Sequence, residues 1–151
     1  MGSSYFKRKD KVMSIENKAL QLVPESMRNQ AKDAFLELSN YMNADIRHFY
    51  VLAIHESGMN LTAENSIGAV GLFQWLLSTY QGLGYTKEQI LSMNYTEQIE
   101  VQKKYMSPIR NKIRNYFDLY MFNFFPIAVI NQWENDRVFE TNYLPAYIVS
   151  Q

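Results

Sequence analysis

One short stretch of this chain, HESGMNLTAENSIGAVGLFQW at residues 55–75, concentrates the residue types that acid–base chemistry needs. It places a single carboxylate, Glu56, at the end of an apolar helical pattern, and a glycine-punctuated loop follows. A carboxylic acid beside an apolar surface can hold a proton near neutral pH and deliver it. The layout therefore favours a general acid.

The helix that must carry Glu56 is predicted from the segment DIRHFYVLAIHESG, in which apolar residues repeat at helical intervals. At about 100° per residue, Glu56 lies at the edge of the apolar face, on the side of Phe49 and Leu52. Burial at this edge disfavours the charged carboxylate and is expected to raise the pKa of Glu56. Gly58 is predicted to end the helix in the left-handed conformation.

The loop after this helix contains Gly68 and Gly71, which allow the backbone to turn tightly or to approach a ligand closely. Gln74 stands between Phe73 and Trp75, and an amide in such an apolar neighbourhood needs hydrogen-bond partners. Two interpretations are open at this point. The Gln74 amide either contacts a substrate amide or ties down its own loop.

Composition limits the classes of function. The chain has 151 residues with 15 basic and 15 acidic side chains, so no global field attracts nucleic acid or an anionic membrane. Cysteine is absent, which excludes disulfides, thiol nucleophiles and Cys-zinc sites. Residues 1–12 are predicted to form a flexible N-terminal arm, which could begin with a cloning remnant, and residues 13–151 a single domain.

Helical periodicity dominates the chain, and alternating β-branched runs are scarce, which predicts an all-α fold. The predicted helices cover residues 13–22, 25–41, 44–57, 71–80, 87–93, 96–115, 116–125 and 128–135. Thr86 is a predicted N-cap. Pro108 lies inside one of these patterns and predicts that the helix kinks or restarts there.

The order of ESG at 56–58 and GAVGLFQ at 68–74 closely resembles the ES…GLMQ signature of soluble lytic transglycosylases, relatives of goose-type lysozyme. The pieces STY at 78–80, LGY at 83–85 and EQI at 97–99 resemble the versions of this domain that phage tail and virion-associated cell-wall enzymes carry. The resemblance spans about residues 44–105 and is weaker beyond them.

The resemblance implies a lysozyme-like helical domain whose cleft binds peptidoglycan and cleaves the β-1,4 bond between N-acetylmuramic acid and N-acetylglucosamine. Glu56 would be the catalytic acid and then the base, and Ser57 would help to orient it. Gln74 would line the sugar subsite near the acetamido groups, with Phe73 shaping the wall. Such enzymes form a 1,6-anhydro product without a cofactor or a second carboxylate. The expected setting is a phage particle or the bacterial cell envelope, with glycan strands and other virion proteins as partners.

The chain departs from the family pattern where an Ala-Tyr-Asn motif normally supplies a tyrosine whose hydroxyl reaches the catalytic glutamate. By spacing, the nearest counterpart is NFFP at 123–126, which puts Phe124 in the aromatic position without a hydroxyl. A weaker alternative aligns the residues at 130–131. Either Tyr120, one helical turn before Phe124, supplies the missing group or the site works without it.

Hydrolysis to a reducing sugar would need a second carboxylate, about 6.5–9.5 Å from the acid in an inverting enzyme. Glu64 is the nearest candidate in sequence, and Asp118 is a remote one. His48 and His55 lack an HExxH pattern and a third ligand, so no metal site is expected.

A basic stretch at 103–114, interleaved with Tyr105 and Tyr116, fits either a solvated helix face or a surface for anionic wall polymers or single-stranded nucleic acid. We expect no nucleic-acid partner, given the neutral overall charge. The hypothesis that competes with an enzyme is a wall-binding or structural module of a phage tail or secretion assembly that has lost turnover.

Overall fold

The computed structural model describes residues 13–124, and its regular structure there is helical. The helices are α1 (Ile15–Gln21), α2 (Arg28–Met42), α3 (Ile46–Ser57), α4 (Leu77–Gly82), α5 (Lys87–Leu91), α6 (Tyr95–Met106) and α7 (Tyr116–Phe124), with 3-10 turns at Glu25–Met27 and Ser107–Ile109. Within these residues there is no strand, only the isolated β-bridges Glu64–Val70 and Val70–Trp75. The all-α prediction is confirmed.

Helix α3 lies at the centre of the described core, in contact with α1, α2 and α7, while α2 also packs along α6. Tyr50 of α3 stacks on Phe35 of α2 with ring centroids 4.4 Å apart and an interplanar angle of 8°. Phe73, from the loop after α3, lies 6.0 Å from the same Phe35 ring. Large buried aromatic rings dominate core energetics, so this cluster fixes both α3 and its loop.

Both ends of α3 follow from local sequence. The Asp45 side chain accepts a hydrogen bond from the Arg47 backbone N–H and caps the first turn. Gly58 ends the helix with φ +62° and ψ +34°, the left-handed conformation that the sequence predicted. Phe49 and Leu52 are fully buried, so the last turn brings the next residues on that side to the edge of the core.

The helix predicted over 71–80 is wrong in its first half, because residues 71–75 form a turn and α4 begins only at Leu77. Gly71 and Gln74 have φ values of +87° and +54°, which a right-handed helix does not allow. Val70 and Trp75 exchange two backbone hydrogen bonds of 3.0 and 2.9 Å across the turn. This bridge replaces the helical hydrogen-bonding pattern.

The helix predicted over 96–115 is too long. Helix α6 ends at Met106, and Pro108 lies in the 3-10 turn that follows, since proline cannot donate the next helical hydrogen bond. An open segment then leads to α7, which begins at Tyr116 as predicted. The helix predicted over 25–41 begins later than expected. Residues 25–27 form a 3-10 turn, and α2 begins at Arg28.

The predicted arm at 1–12 and helix at 128–135 lie outside the described residues. Across residues 13–124, none of the helices has the length and apolar character needed to cross a membrane.

Candidate active site

The carboxyl group of Glu56 is partly withdrawn from water at the C-terminal end of α3. Its Oε1 atom is buried and has no hydrogen-bond partner among the described residues. Burial raises the pKa of this carboxyl, and the positive charge of the neighbouring His55 lowers it by less. The structure thus supports the sequence-based expectation of an acid that keeps its proton further towards neutral pH than an ordinary glutamate.

Helix α7 brings a tyrosine into the electrostatic range of this acid. The pKa of Tyr116 is raised to about 12, first by burial and then by the negative charge of Glu56. In the sequence, Tyr116 stands out only as a neighbour of the basic stretch, which does not reveal this link. The available signal was its spacing of four residues from Tyr120, which puts both rings on one face of α7.

Tyr120, the tyrosine favoured by sequence, is buried in the same interface between α3 and α7. Its ring centroid lies 6.1 Å from that of His55 in an edge-on arrangement and 6.1 Å from that of Tyr116. Tyr116 in turn lies 6.4 Å from the His48 ring. The two histidines of α3 and the two tyrosines of α7 therefore form one aromatic row beside Glu56. Phe124 is the last residue of α7, and its side chain lies outside the described part of the chain.

Ser57 holds the end of α3 against the following loop. Its hydroxyl lies 2.7 Å from the carbonyl oxygen of Leu72 and 3.1 Å from that of Ala53, and can donate its proton to either. The described contacts of Ser57 thus go to backbone oxygens and not to the Glu56 carboxyl. Any orienting effect on Glu56 passes through the position of the helix end.

Two fully buried glutamines of α6 fasten the loop from the opposite side. The Oε1 of Gln98 accepts the Leu72 backbone N–H at 2.8 Å, and its Nε2 donates to the Leu61 carbonyl at 2.7 Å. The Oε1 of Gln102 accepts the Trp75 indole N–H at 2.7 Å. In the sequence, Gln98 stands out only within the EQI piece at 97–99, and Gln102 does not stand out. The available signal was the pair of amides four positions apart on one helix face, because buried amides need partners.

The side chain of Gln74 faces its own loop. Its Nε2 donates to the carbonyls of Ala63 and Gly71 at 3.0 and 2.9 Å, which is the loop-tying alternative of the two interpretations. Phe73 is fully buried and lies 6.0 Å from the Trp75 ring, so it supports the loop from the core side.

The two candidates for a second carboxylate are both engaged elsewhere. Glu64 is exposed and forms an ion pair with Lys87, a contact that raises the lysine pKa. Asp118 is 2% exposed and accepts the backbone N–H of Arg114 at 2.9 Å and its Nε–H at 3.0 Å. The described contacts of Asp118 therefore serve the start of α7.

Much of the basic stretch also makes internal contacts. Lys103 lies 2.8 Å from Glu100 and 3.6 Å from Glu37, and the guanidinium of Arg110 lies 4.1 Å from the centroid of the Tyr41 ring. Residues 13–124 contain no group of three or more potential metal ligands among their His, Asp and Glu side chains.

A family model described as the transglycosylase SLT domain matches residues 33–134, which is more than half of the chain and includes α3, the glycine loop and α6. The chain belongs to the transglycosylase SLT family. Comparison with curated proteins and with solved structures finds no match. Membership in the SLT family accounts for the lysozyme-like all-α fold and indicates peptidoglycan as the substrate of a transglycosylase or lysozyme-like glycosidase.

The tight turn at Gly71 generates a stability prediction. A Cβ atom there would lie 2.8 Å from Trp75 Cζ3 and 3.0 Å from Gln98 Oε1, at a φ of +87°. Gly71→Ala should lower the free energy of unfolding by about 2–4 kcal/mol through overpacking and backbone strain together. Gly68→Ala is the matched control, because its φ is +85° but no atom lies within 4 Å of the added Cβ. Urea unfolding that shows equal losses for the two variants would contradict the clash.

The buried acid generates a second prediction. Because the folded-state pKa of Glu56 is raised, its contribution to stability is present below the ordinary glutamate pKa of about 4.3 and is lost as pH rises through the folded-state pKa. Glu56→Gln should therefore raise the melting temperature by a few degrees at about pH 8 and have little effect at about pH 4. Glu64→Gln, which removes an exposed ion pair, should give no such rise. Calorimetry at both pH values measures the melting temperatures, and an equal change at the two pH values would contradict the prediction.

Proposed function

We propose that this SLT domain is a lytic transglycosylase that cleaves the β-1,4 bond between N-acetylmuramic acid and N-acetylglucosamine, with Glu56 as general acid and then general base. The observation that supports the proposal is the half-buried carboxyl at the end of α3, whose Oε1 has no hydrogen-bond partner among the described residues and whose pKa is raised by burial. A group in that state can donate a proton to a glycosidic oxygen without first losing a competing partner.

The proposed reaction needs no other catalytic acid. Glu56 transfers its proton to the bridging oxygen as the bond from that oxygen to C1 of N-acetylmuramic acid breaks. The C6 hydroxyl of the same sugar then attacks C1 and gives its proton to the Glu56 carboxylate. The products are a 1,6-anhydro end and a free 4-hydroxyl, and Glu56 is again protonated. General acid help of this kind contributes about 10²–10⁴-fold in rate.

The alternative is a hydrolytic muramidase, in which water attacks C1. An inverting enzyme needs a free carboxylate to activate that water. Asp118 is buried in its ion pair with Arg114, and Glu64 pairs with Lys87 at the surface. Neither described contact involves Glu56, which supports the intramolecular C6 hydroxyl as the proposed nucleophile.

We assign the role of the family's tyrosine to Tyr116. Tyr116 lies in the row of rings beside α3, in contact with His48 and Tyr120. Burial and, to a lesser degree, the negative charge of Glu56 raise the pKa of this phenol to about 12, so it is protonated throughout the working pH range. A phenolic O–H can donate a hydrogen bond to the Glu56 carboxylate that forms after proton transfer, which stabilises the intermediate state.

The proposed setting is a phage particle or a cell-envelope machine in which residues 13–151 form one wall-cleaving domain behind an arm at 1–12. Its partners would be glycan strands and neighbouring virion proteins, and the proposed chemistry uses no cofactor.

The proposed general acid gives a prediction about activity. Glu56→Gln should abolish release of fragments from purified sacculi, with activity reduced by at least about 10²-fold, while the circular dichroism spectrum stays unchanged. Turbidity loss measures the rate, and mass spectrometry of the fragments distinguishes anhydro ends from reducing ends. Parental activity in Glu56→Gln would show that Glu56 is not the general acid. Co-sedimentation of the native protein with sacculi, without any release, would instead identify a binding module.

A further prediction distinguishes the roles of the two tyrosines. Tyr116→Phe should lower kcat about 10- to 150-fold, because a hydrogen bond to a charged group contributes about 1.5–3 kcal/mol. Tyr120→Phe serves as the comparison, since it makes the same chemical change one helical turn away on α7. A loss confined to Tyr120→Phe would return the role to Tyr120.

A further inference from the structure

A continuous path of hydrogen bonds connects α6 to the residue next to Glu56. The Gln98 side-chain oxygen accepts the Leu72 N–H at 2.8 Å, and the Leu72 carbonyl lies 2.7 Å from the Ser57 hydroxyl. Ser57 is the last residue of α3 and follows Glu56 directly. The position of the Leu72 peptide is therefore shared between α6 and the end of the catalytic helix.

Gln98 is suited to hold that peptide rigidly. It is fully buried, and its amide nitrogen donates to the carbonyls of Leu61 and Ile90 at 2.7 and 3.1 Å. All three described bonds go to backbone atoms, so the amide cannot rotate without losing several of them. Hydrogen bonds of a buried amide are costly to break, because each donor or acceptor left without a partner has also lost its water.

The same helix also holds the chain just beyond Glu56. The Tyr95 hydroxyl donates to the Met59 carbonyl at 2.7 Å, and Met59 is fully buried with a φ of +64°. Such a conformation is unfavourable for a non-glycine residue and persists only where surrounding contacts impose it. Helix α6 thus helps to fix the path of the chain where it leaves α3. This path in turn sets how deeply the last turn of α3 is buried.

We propose that Gln98 is a positioning residue for Glu56, which acts through the Leu72 peptide and the Ser57 hydroxyl to keep the Glu56 carboxyl partly buried. This inference rests on the proposed function for its kinetic consequences but not for its structural ones. His55 on the same helix also acts on the Glu56 carboxyl, and the carboxylate charge acts in turn on the Tyr116 phenol of α7. Burial and, to a lesser degree, the negative charge of Glu16 on α1 raise the pKa of the Tyr50 phenol of α3.

The test compares Gln98→Met with Gln102→Met. Both changes remove a fully buried amide from α6, but Gln102 holds the Trp75 indole and not the Leu72 peptide. Without Gln98 the end of α3 loosens and water reaches Glu56. Its pKa, measured by ¹³C NMR titration of the side-chain carboxyl, should fall towards about 4.3. In Gln102→Met it should stay at the parental value.

Kinetics supply a second readout. In Gln98→Met, kcat on sacculi should fall about tenfold with little change in KM, because small displacements of a catalytic group cost rate more than binding. The alkaline limb of the pH profile should move to lower pH, as the proton donor is lost earlier. Gln102→Met should keep the parental limb and a kcat within about twofold of the parent, even if its melting temperature falls equally.

A double-mutant cycle with Ser57→Ala tests the path itself. Residues that act along one path are non-additive, so Gln98→Met/Ser57→Ala should cost no more in kcat than the larger single change. If Gln98→Met does not fold, Ser57→Ala alone carries the test, since it removes only the hydroxyl and should also lower the Glu56 pKa.

An unchanged Glu56 pKa in the folded variant, or equal shifts in Gln98→Met and Gln102→Met, would overturn the proposal. The NMR titration needs no catalysis, so it remains decisive even if Glu56→Gln shows that the proposed function is wrong.

Discussion

The site depends on one costly arrangement, a carboxyl group held partly out of water with a buried oxygen that no described residue satisfies. Water would solvate such a group strongly, and burial without a partner disfavours its ionised form. That penalty is also what gives the acid its proton-donating character. The stacked rings of Phe35 and Tyr50 and the buried face of α3 provide the packing that holds the last helical turn in place despite the penalty.

The segment after the acid is rich in left-handed backbone conformations, and two of them are strained. Of the eight positive-φ residues that residues 13–124 contain, five lie between positions 58 and 74, and Met59 and Gln74 among them are not glycine. Strain of this kind persists where surrounding contacts over-determine the conformation. Here buried amides supply those contacts, Gln98 at the Leu72 peptide and Gln74 at two carbonyls of its own loop. Polar side chains inside the core thus give this loop its shape.

Family membership and local geometry bear on different questions. The SLT match accounts for the lysozyme-like architecture and for peptidoglycan as substrate, but it does not say which side chain compensates for the absent Ala-Tyr-Asn motif. The row of rings from α3 and α7 bears on that point, because the negative charge of Glu56 contributes to the raised pKa of Tyr116.

Local sequence alone determined the all-α class, the start and end of α3, and the place of Glu56 at the edge of its apolar face. These features depend on residues within a turn or two of each other, such as Asp45 at the start and Gly58 at the end. Tertiary structure decided the rest. Leu72 and Gln98 are 26 positions apart, and α7 meets α3 only in the folded chain. The turn at 71–75, the inward direction of the Gln74 amide and the link between Tyr116 and Glu56 all arise from such distant contacts. No local periodicity encodes them, because hydrogen bonds and buried charges depend on which surfaces meet in space.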